Sequence, residues 1–410
     1  MSVIEEPTST VSPSMKSALR DYLSRVKSGD IGSLPAVLGL IGLCAIFATI
    51  SQFFFTSRNF ANLLTQAAPV IVIAMGLVFV LLLGEIDLSA GYASGVTGAV
   101  LVILISNHNV PWYLAFLISL VVGLTLGAIL GTLVARLGIP SFVVTLAAFL
   151  AFQGILLLLA GEGGTISISD KYILAVENNN LSVAQSWIFY ISIMGLYVLS
   201  GLNRINTRRK VGLKTELIKL WALKTFGLGV ITFVGLLALL RERGNPPLTS
   251  TRGIPLIVPV ILLLLVIGTF VLNRTAFGRH IYAVGGNAEA ARRAGINVKS
   301  VRTAAFVICS GMSAIAGLLF ASRANSISPT TGGQSTLLYA VGAAVIGGTS
   351  LFGGKGKIRD AILGGLVVAV IDNGMGLLGY GAGIQYLVTG AVLLISAGID
   401  AISRKGGMAN

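Results

Sequence analysis

Residues 278–296, GRHIYAVGGNAEAARRAGI, form a polar island between PLIVPVILLLLVIGTFVL (residues 255–272) and TAAFVICSGMSAIAGLLFA (residues 303–321). Each flanking run approaches the ~20 apolar residues that a helix needs to cross a bilayer. Backbone groups in lipid must be satisfied within the chain, so spanning segments are helices or closed barrels, and no alternating ten-residue pattern of a barrel occurs. The reading is an all-α, polytopic transmembrane helix bundle.

Working outward, the same rhythm repeats. Apolar spans are expected near 35–55, 62–83, 88–106, 111–135, 141–160, 186–202, 225–240, 255–272, 303–321, 335–350, 360–379 and 384–402, about twelve in all. Of the 410 residues 55% are hydrophobic and 11% charged, against roughly 25% charged in a soluble domain. The expected organisation is a polar tail at 1–34 with an amphipathic helix (Met15, Leu19, Tyr22, Leu23 and Val26 on one face), a membrane domain at 35–403, and a short tail at 404–410. Within the membrane domain, 204–224 reads as a basic loop and 273–302 as the loop carrying the island.

The net charge of +14 would suggest nucleic acid in a soluble protein. Here its distribution argues otherwise. With the N-terminus in the cytoplasm, all of the 29 Lys and Arg except Arg58, Lys171, Arg241, Arg243, Arg252 and Arg323 fall on the cytoplasmic side, as the positive-inside rule requires. Both termini are therefore expected in the cytoplasm, the basic loop is expected to touch anionic membrane lipids, and no nucleic-acid partner is expected.

Inside the island, Asn287 is a good N-cap, Glu289 stands in the first helical turn and Arg292 and Arg293 in the last, and Gly295 supplies a left-handed terminator. The result is a short helix with Ala288, Ala290, Ala291 and Ala294 on its surface. So short a helix is marginal alone, and alanine lets another surface come close, so a docking partner is expected.

Four stretches together resemble the permease subunits of bacterial ABC transporters, in the branch for ribose, xylose and related monosaccharides. They are the island, GEIDLSAG at 84–91, PSFVVTLAAFLAFQG at 140–154 and VIGGTSLFGGKGKI at 345–358. The length of the basic segment at 204–224 is similar to that of the xylose and multiple-monosaccharide subgroup. The resemblance implies a multi-pass protein of the bacterial inner membrane, most simply a homodimer, working with an ATP-binding subunit and a periplasmic sugar-binding protein. It implies that Gly286, Asn287, Glu289, Ala290, Ala291, Arg292 and Gly295 couple to the ATPase, and that Glu85 and Asp87 are candidates for a gate or an ATPase contact. ATP and Mg would belong to the partner, with no cofactor in this chain.

The residues themselves agree with a transport subunit that is not an enzyme. GGTSLFGGKG fails the phosphate-loop pattern, because Gly354 stands where Lys is required and Gly356 follows Lys355. His108 and His280 are the two histidines, and Cys44 and Cys309 the two cysteines, with no metal-ligand spacing among them. The cysteines read as packing residues. Gln66, Gln153, Asp372, Asn373 and Gln385 lie at or within apolar runs and are candidates for hydrogen-bonding sugar hydroxyls along a pathway. The run Asp372-Asn373-Gly374 suggests a helix able to bend. The rival reading, an ion-coupled secondary sugar transporter acting alone, wants several mid-membrane carboxylates; Asp372 is one clear candidate.

Overall fold

The computed structural model describes residues 33–161, 163–211, 218–245 and 250–408. The expected N-terminal amphipathic helix and the middle of the basic loop lie outside the described residues. In chain order the helices are α1 (Leu34–Ile50), α2 (Ser57–Leu81), α3 (Ala90–Ser106), α4 (Trp112–Ala135), α5 (Ser141–Ala160), α6 (Lys171–Asn178), α7 (Val183–Lys210) and α8 (Ile218–Leu240). They continue as α9 (Ile257–Arg274), α10 (Ala276–Gly286), α11 (Ala288–Arg293), α12 (Val298–Ala324), α13 (Gln334–Ile346), α14 (Ile358–Leu377) and α15 (Ala382–Met408). One small antiparallel ladder pairs β1 (Ile166–Ser167) with β2 (Ser326–Ile327), Ile166 opposite Ile327.

Eight described helices, α2, α4, α5, α7, α8, α9, α12 and α14, are long and apolar enough to cross a membrane. Four shorter apolar segments accompany them: α1, α3, Ser335–Ile346 of α13 and Ala382–Ile395 of α15. Apolar side chains cover the outside as well as the inside: Leu158 on α5 is 88% exposed and Ile231 on α8 is 72% exposed. Such a surface is stable where the surrounding solvent is hydrocarbon.

The bundle is organised around α12. Asn297 caps its start by accepting from the Ser300 amide at 3.0 Å, and Asn325 ends it in the left-handed region at φ 55°. Small residues let its neighbours approach to backbone distance. A Cβ built on Gly123, Gly127 or Gly131 of α4 would come within 3 Å of Ala314, Phe306 or Thr303 of α12. Gly76 of α2 meets Cys309 and Met312 in the same way, and Gly98 of α3 meets the Gly317 carbonyl. Association in lipid depends on close packing, since apolar burial gives no drive there. Gly91 and Gly95 of α3 meet the carbonyls of Gly332 and Thr331 between β2 and α13, with Leu337 of α13 and Leu156 of α5 beside them.

Helices α3 and α13, like the 17-residue α1, are too short to span as helix alone. At 1.5 Å per residue the 13 residues of α13 reach about 20 Å and the 17 of α3 about 25 Å, against a hydrocarbon core of about 30 Å. Irregular backbone supplies the difference, the loop 82–89 before α3 and the turn 347–357 after α13. Irregular backbone at that depth needs partners within the protein, and it has them. Ile86 donates its N–H to Ser141 Oγ at 3.3 Å and accepts at its carbonyl from Thr145 Oγ1 at 3.2 Å, while Ser350 N–H donates to the Lys355 carbonyl at 2.9 Å.

Several boundaries differ from the sequence reading. The stretch 161–185, between two expected spans, contains β1 and α6. The span expected at 186–202 is a 28-residue helix that carries the chain through Arg208, Arg209 and Lys210. The next, expected as a short span from 225, begins at Ile218 and runs 23 residues. A further helix, α10, precedes the expected helix of the island.

Candidate functional site

Residues from distant parts of the chain meet at two places, one at each end of α12. The first is the end bearing α10 and α11. Thr275 caps α10 through Oγ1, which accepts from the Gly278 amide at 3.2 Å, and Ile281 and Val284 bury one face. Asn287 then caps α11, its Oδ1 accepting from the Ala290 amide at 2.9 Å. At the other end Gly295 sits at φ +83°, its N–H donating to the Arg292 carbonyl, while Ile296 N–H donates to the Ala291 carbonyl at 3.0 Å. This paired closure is the Schellman arrangement.

Glu289 accepts from Arg292 Nη2 at 2.9 Å and Arg293 Nε at 3.3 Å. Those contacts, the Arg292 hydrogen bond first, hold its carboxyl below the usual range. Gly286, Asn287, Glu289, Ala290, Arg292, Ala294 and Gly295 are exposed. Ala291 is not: it is 5% exposed and packs into the main core with Ile296 against it. The expected four-alanine surface is therefore two fully exposed alanines, Ala290 and Ala294, with Ala288 half-buried.

The segment rests on the two irregular stretches. Tyr282 of α10 donates its hydroxyl to the Gly356 carbonyl at 2.7 Å, and Gly285 lies against the Leu82 carbonyl. Glu85, in the first of those stretches, pairs with Arg302 of α12 at 3.1 Å. Asp87, two residues on, is fully buried, and its Oδ1 accepts from the Ser89 amide at 2.9 Å and the Ser89 hydroxyl at 2.7 Å. Cys309 of α12 lies beside that carboxylate. The two acidic residues, grouped in the sequence as candidates for a gate or an ATPase contact, thus have separate surroundings: Glu85 has a half-buried cationic partner and Asp87 is in the core.

The second place lies toward the β1–β2 end. Gln66 of α2 donates Nε2 to Asp372 Oδ2 of α14, and Asn373 donates Nδ2 to Gln66 Oε1 at 3.3 Å. Asn373 and Asn59 exchange amide hydrogen bonds at 2.8 and 2.9 Å, and Asn59 Nδ2 also donates to the Phe54 carbonyl at 3.0 Å. Buried polar groups in lipid persist when they are mutually satisfied in this way. Arg323, half-buried at the end of α12, donates Nη1 to Thr65 Oγ1 at 3.1 Å and lies within electrostatic reach of both Asp372 and Glu177.

Of the residues expected on a pathway, the structure brings together Gln66, Asp372 and Asn373. Gln153 is on α5, which packs on α3 and α4, away from α14. Gln385 turns back to its own end of the chain, donating Nε2 to the Tyr380 carbonyl at 3.2 Å. Helix α14 runs unbroken through Gly374 to Leu377, and Gly374 is the seat of the Phe47 ring, 2.5 Å from where its Cβ would stand.

Sequence reasoning missed Asn59, Thr65, Arg323 and Glu177 as members of this cluster. Glu177, from the stretch between two expected spans, is 5% exposed, and neither carboxylate oxygen has a hydrogen-bond partner among the described residues. Burial pushes its carboxyl up to about 8, the nearby Arg323 charge offsetting part of the effect. Ile173 and Glu177 are four apart, so one face of α6 buries both.

The family described as branched-chain amino acid transport system / permease component matches residues 59–397. The xylose transport system permease protein XylH of Escherichia coli (strain K12) is 37% identical over 383 residues, 93% of this chain and 95% of that protein. Its counterpart in Haemophilus influenzae is 34% identical over 378 residues, 91% of this chain and 98% of the relative. The ribose import permease protein RbsC of Escherichia coli (strain K12) is 28% identical over 381 residues, covering 93% and 96% of the two chains. No solved structure matches the chain.

Proposed function

Because this chain belongs to the family described as branched-chain amino acid transport system / permease component, we propose that it is the membrane-spanning permease subunit of an ATP-driven monosaccharide importer, with a xylose-like pentose as its cargo. The observation that carries the reading is the 37% identity to a xylose permease across 93% of the chain. The family description names branched-chain amino acids, but the relatives themselves are xylose and ribose permeases, so a sugar is the better assignment. The chain is a transport component and not an enzyme. A lone ion-coupled transporter, the rival reading, has no counterpart among these relatives.

In this reading the eight long apolar helices and the four shorter ones form twelve spans, with both termini in the cytoplasm. That orientation places α10 and α11 on the cytoplasmic side and β1–β2 outside, where a sugar-binding protein would deliver its cargo. Gly286, Asn287, Glu289, Ala290, Arg292 and Gly295 then present the exposed surface of a docking segment for the ATP-binding subunit, which would hold ATP and Mg. Ala291 acts there from beneath, fixing the segment to the bundle. Glu85, paired with Arg302, is the gate candidate beside that segment, and Asp87 holds the start of α3 in the core. Gln66, Asp372 and Asn373 form the polar part of the pathway, where neutral hydroxyls can replace amide and carboxylate partners one for one; Gln153 and Gln385 would touch sugar only elsewhere along it. A homodimer in the bacterial inner membrane, with anionic lipid against the basic segment at 204–224, completes the assembly.

The test is transport in proteoliposomes containing this chain, its ATP-binding subunit and its sugar-binding protein. Uptake of labelled xylose or another pentose should require ATP and both partners. Uptake driven by a proton or sodium gradient without ATP would overturn the proposal.

A further inference from the structure

Gly285, the penultimate residue of α10, lies where three chain segments meet backbone on backbone. A Cβ built on it would stand 1.8 Å from the Leu82 carbonyl oxygen and 2.9 Å from the Gly354 amide nitrogen. Those two segments are themselves joined, Gly354 N–H donating to the Leu82 carbonyl at 2.9 Å. Gly353 and Gly354 reach this position in the left-handed region, at φ +82° and +73°. The neighbouring Gly286 is different: its Cβ would meet nothing within 4 Å. One turn earlier, Tyr282 fastens the same helix to the Gly356 carbonyl at 2.7 Å.

Side chains at a contact can absorb a displacement by changing rotamer, but packed backbones cannot. A shift of α10 therefore reaches Leu82 and Gly354 together. The Leu82 segment leads through Asp87 and Ser89 into α3, and the Gly354 segment leads through Lys357 into α14, the helix that carries Asp372 and Asn373. Packed interfaces of this kind switch between discrete arrangements and do not stretch.

We propose that Gly285 is a positioning residue for transport: its missing side chain lets the docking segment seat on both irregular stretches at once, so that movement of α10–α11 drives α3 and α14 as one body. The proposal rests on the reading of α10–α11 as the ATPase-docking segment. It assigns transmission to Gly285, which does not belong to the exposed docking surface.

The experiment compares wild type, Gly285→Ala, Tyr282→Phe and, as a control, Gly195→Ala at a glycine of α7 whose Cβ would meet nothing within 4 Å, in proteoliposomes with the ATP-binding subunit and sugar-binding protein, using labelled xylose. Two quantities are read: the amount of ATP-binding subunit that co-purifies with each variant, and the sugar transported per ATP hydrolysed. Gly285→Ala should keep the ATP-binding subunit and lower the transport ratio at least about tenfold, because an added methyl forces packed backbones apart. Gly195→Ala should match wild type, and Tyr282→Phe should lower the ratio several-fold. A wild-type ratio in Gly285→Ala, or an equal loss in Gly195→Ala, would overturn the proposal, as would loss of the ATP-binding subunit from Gly285→Ala alone, which would make Gly285 a docking residue. If Gly285→Ala does not accumulate in the membrane, Tyr282→Phe decides: an unchanged ratio rejects transmission through this junction. If wild type itself fails to retain the ATP-binding subunit, the docking reading falls and the proposal falls with it.

Discussion

Gln66 and Asp372 stand 306 residues apart in the chain, and the Gln66 amide donates to the Asp372 carboxylate across the α2–α14 interface. The contact explains how a carboxylate is kept within a bundle of apolar helices, and it allows charge to be separated from hydrogen bonding. Asp372→Asn retains shape and an acceptor for Gln66, whereas Asp372→Leu removes both. Pentose uptake should stay within a few-fold of wild type in the Asn variant and fall more than about tenfold in the Leu variant, given the cost of leaving the partner amide unsatisfied. Wild-type uptake by the Leu variant would remove Asp372 from the pathway.

The two alanines of α11 separate docking from folding. Ala290→Glu places a carboxylate on the exposed face, so the protein should reach the membrane in normal amount but retain little ATP-binding subunit on affinity purification. Ala291→Glu forces a charge into the core, so its first effect should be loss of the folded protein, by several kcal/mol. Co-purification measured beside thermal unfolding in detergent distinguishes them. Equal subunit retention by Ala290→Glu and wild type would count against α11 as the docking surface.

Glu177 gives stability a pH dependence of definite sign. Its folded-state carboxyl is raised from 4.5 to about 8 by burial, so the folded protein binds more protons than the unfolded chain between those values. The contribution is fully present below the unfolded value and is lost as pH rises through about 8. The unfolding temperature of detergent-solubilised protein should therefore fall across that window. Glu177→Gln, neutral at every pH, should flatten the curve; an unchanged slope in the Gln variant would assign the effect to another group.

Orientation is testable at the end of α7. In a background lacking Cys44 and Cys309, Arg209→Cys should resist a membrane-impermeant thiol reagent in intact cells and react in inverted vesicles. Labelling from outside would reverse the assignment of sides or break the count of spans between α7 and the docking segment.

The sequence made the membrane bundle legible because a bilayer demands long apolar runs, and these survive any detail of packing. It also disclosed the caps of α11, since Asn287 and Gly295 act within their own turn. What it hid depends on tertiary contacts. The burial of Ala291 and Glu177 is fixed by which face of a short helix meets α12, and runs of six and eight residues carry too few positions to mark a face. Arg323 read as one more charge on the outer side, although its guanidinium reaches Thr65 inside the bundle. Asn59 was silent for a similar reason: it precedes the apolar run expected at 62–83, and only its exchange of amides with Asn373 shows where it points.

The place of α12 also sets an order on biosynthesis. It fills the glycine grooves of α2, α3 and α4, and its Cys309 covers Asp87, yet it is made only after those helices and eight others have left the ribosome. Until the chain has grown past Ala324, the early helices wait in the membrane with their closest contacts unmade. A chain terminated before that point has no centre to assemble around, and becomes a substrate for membrane quality control and not a smaller permease.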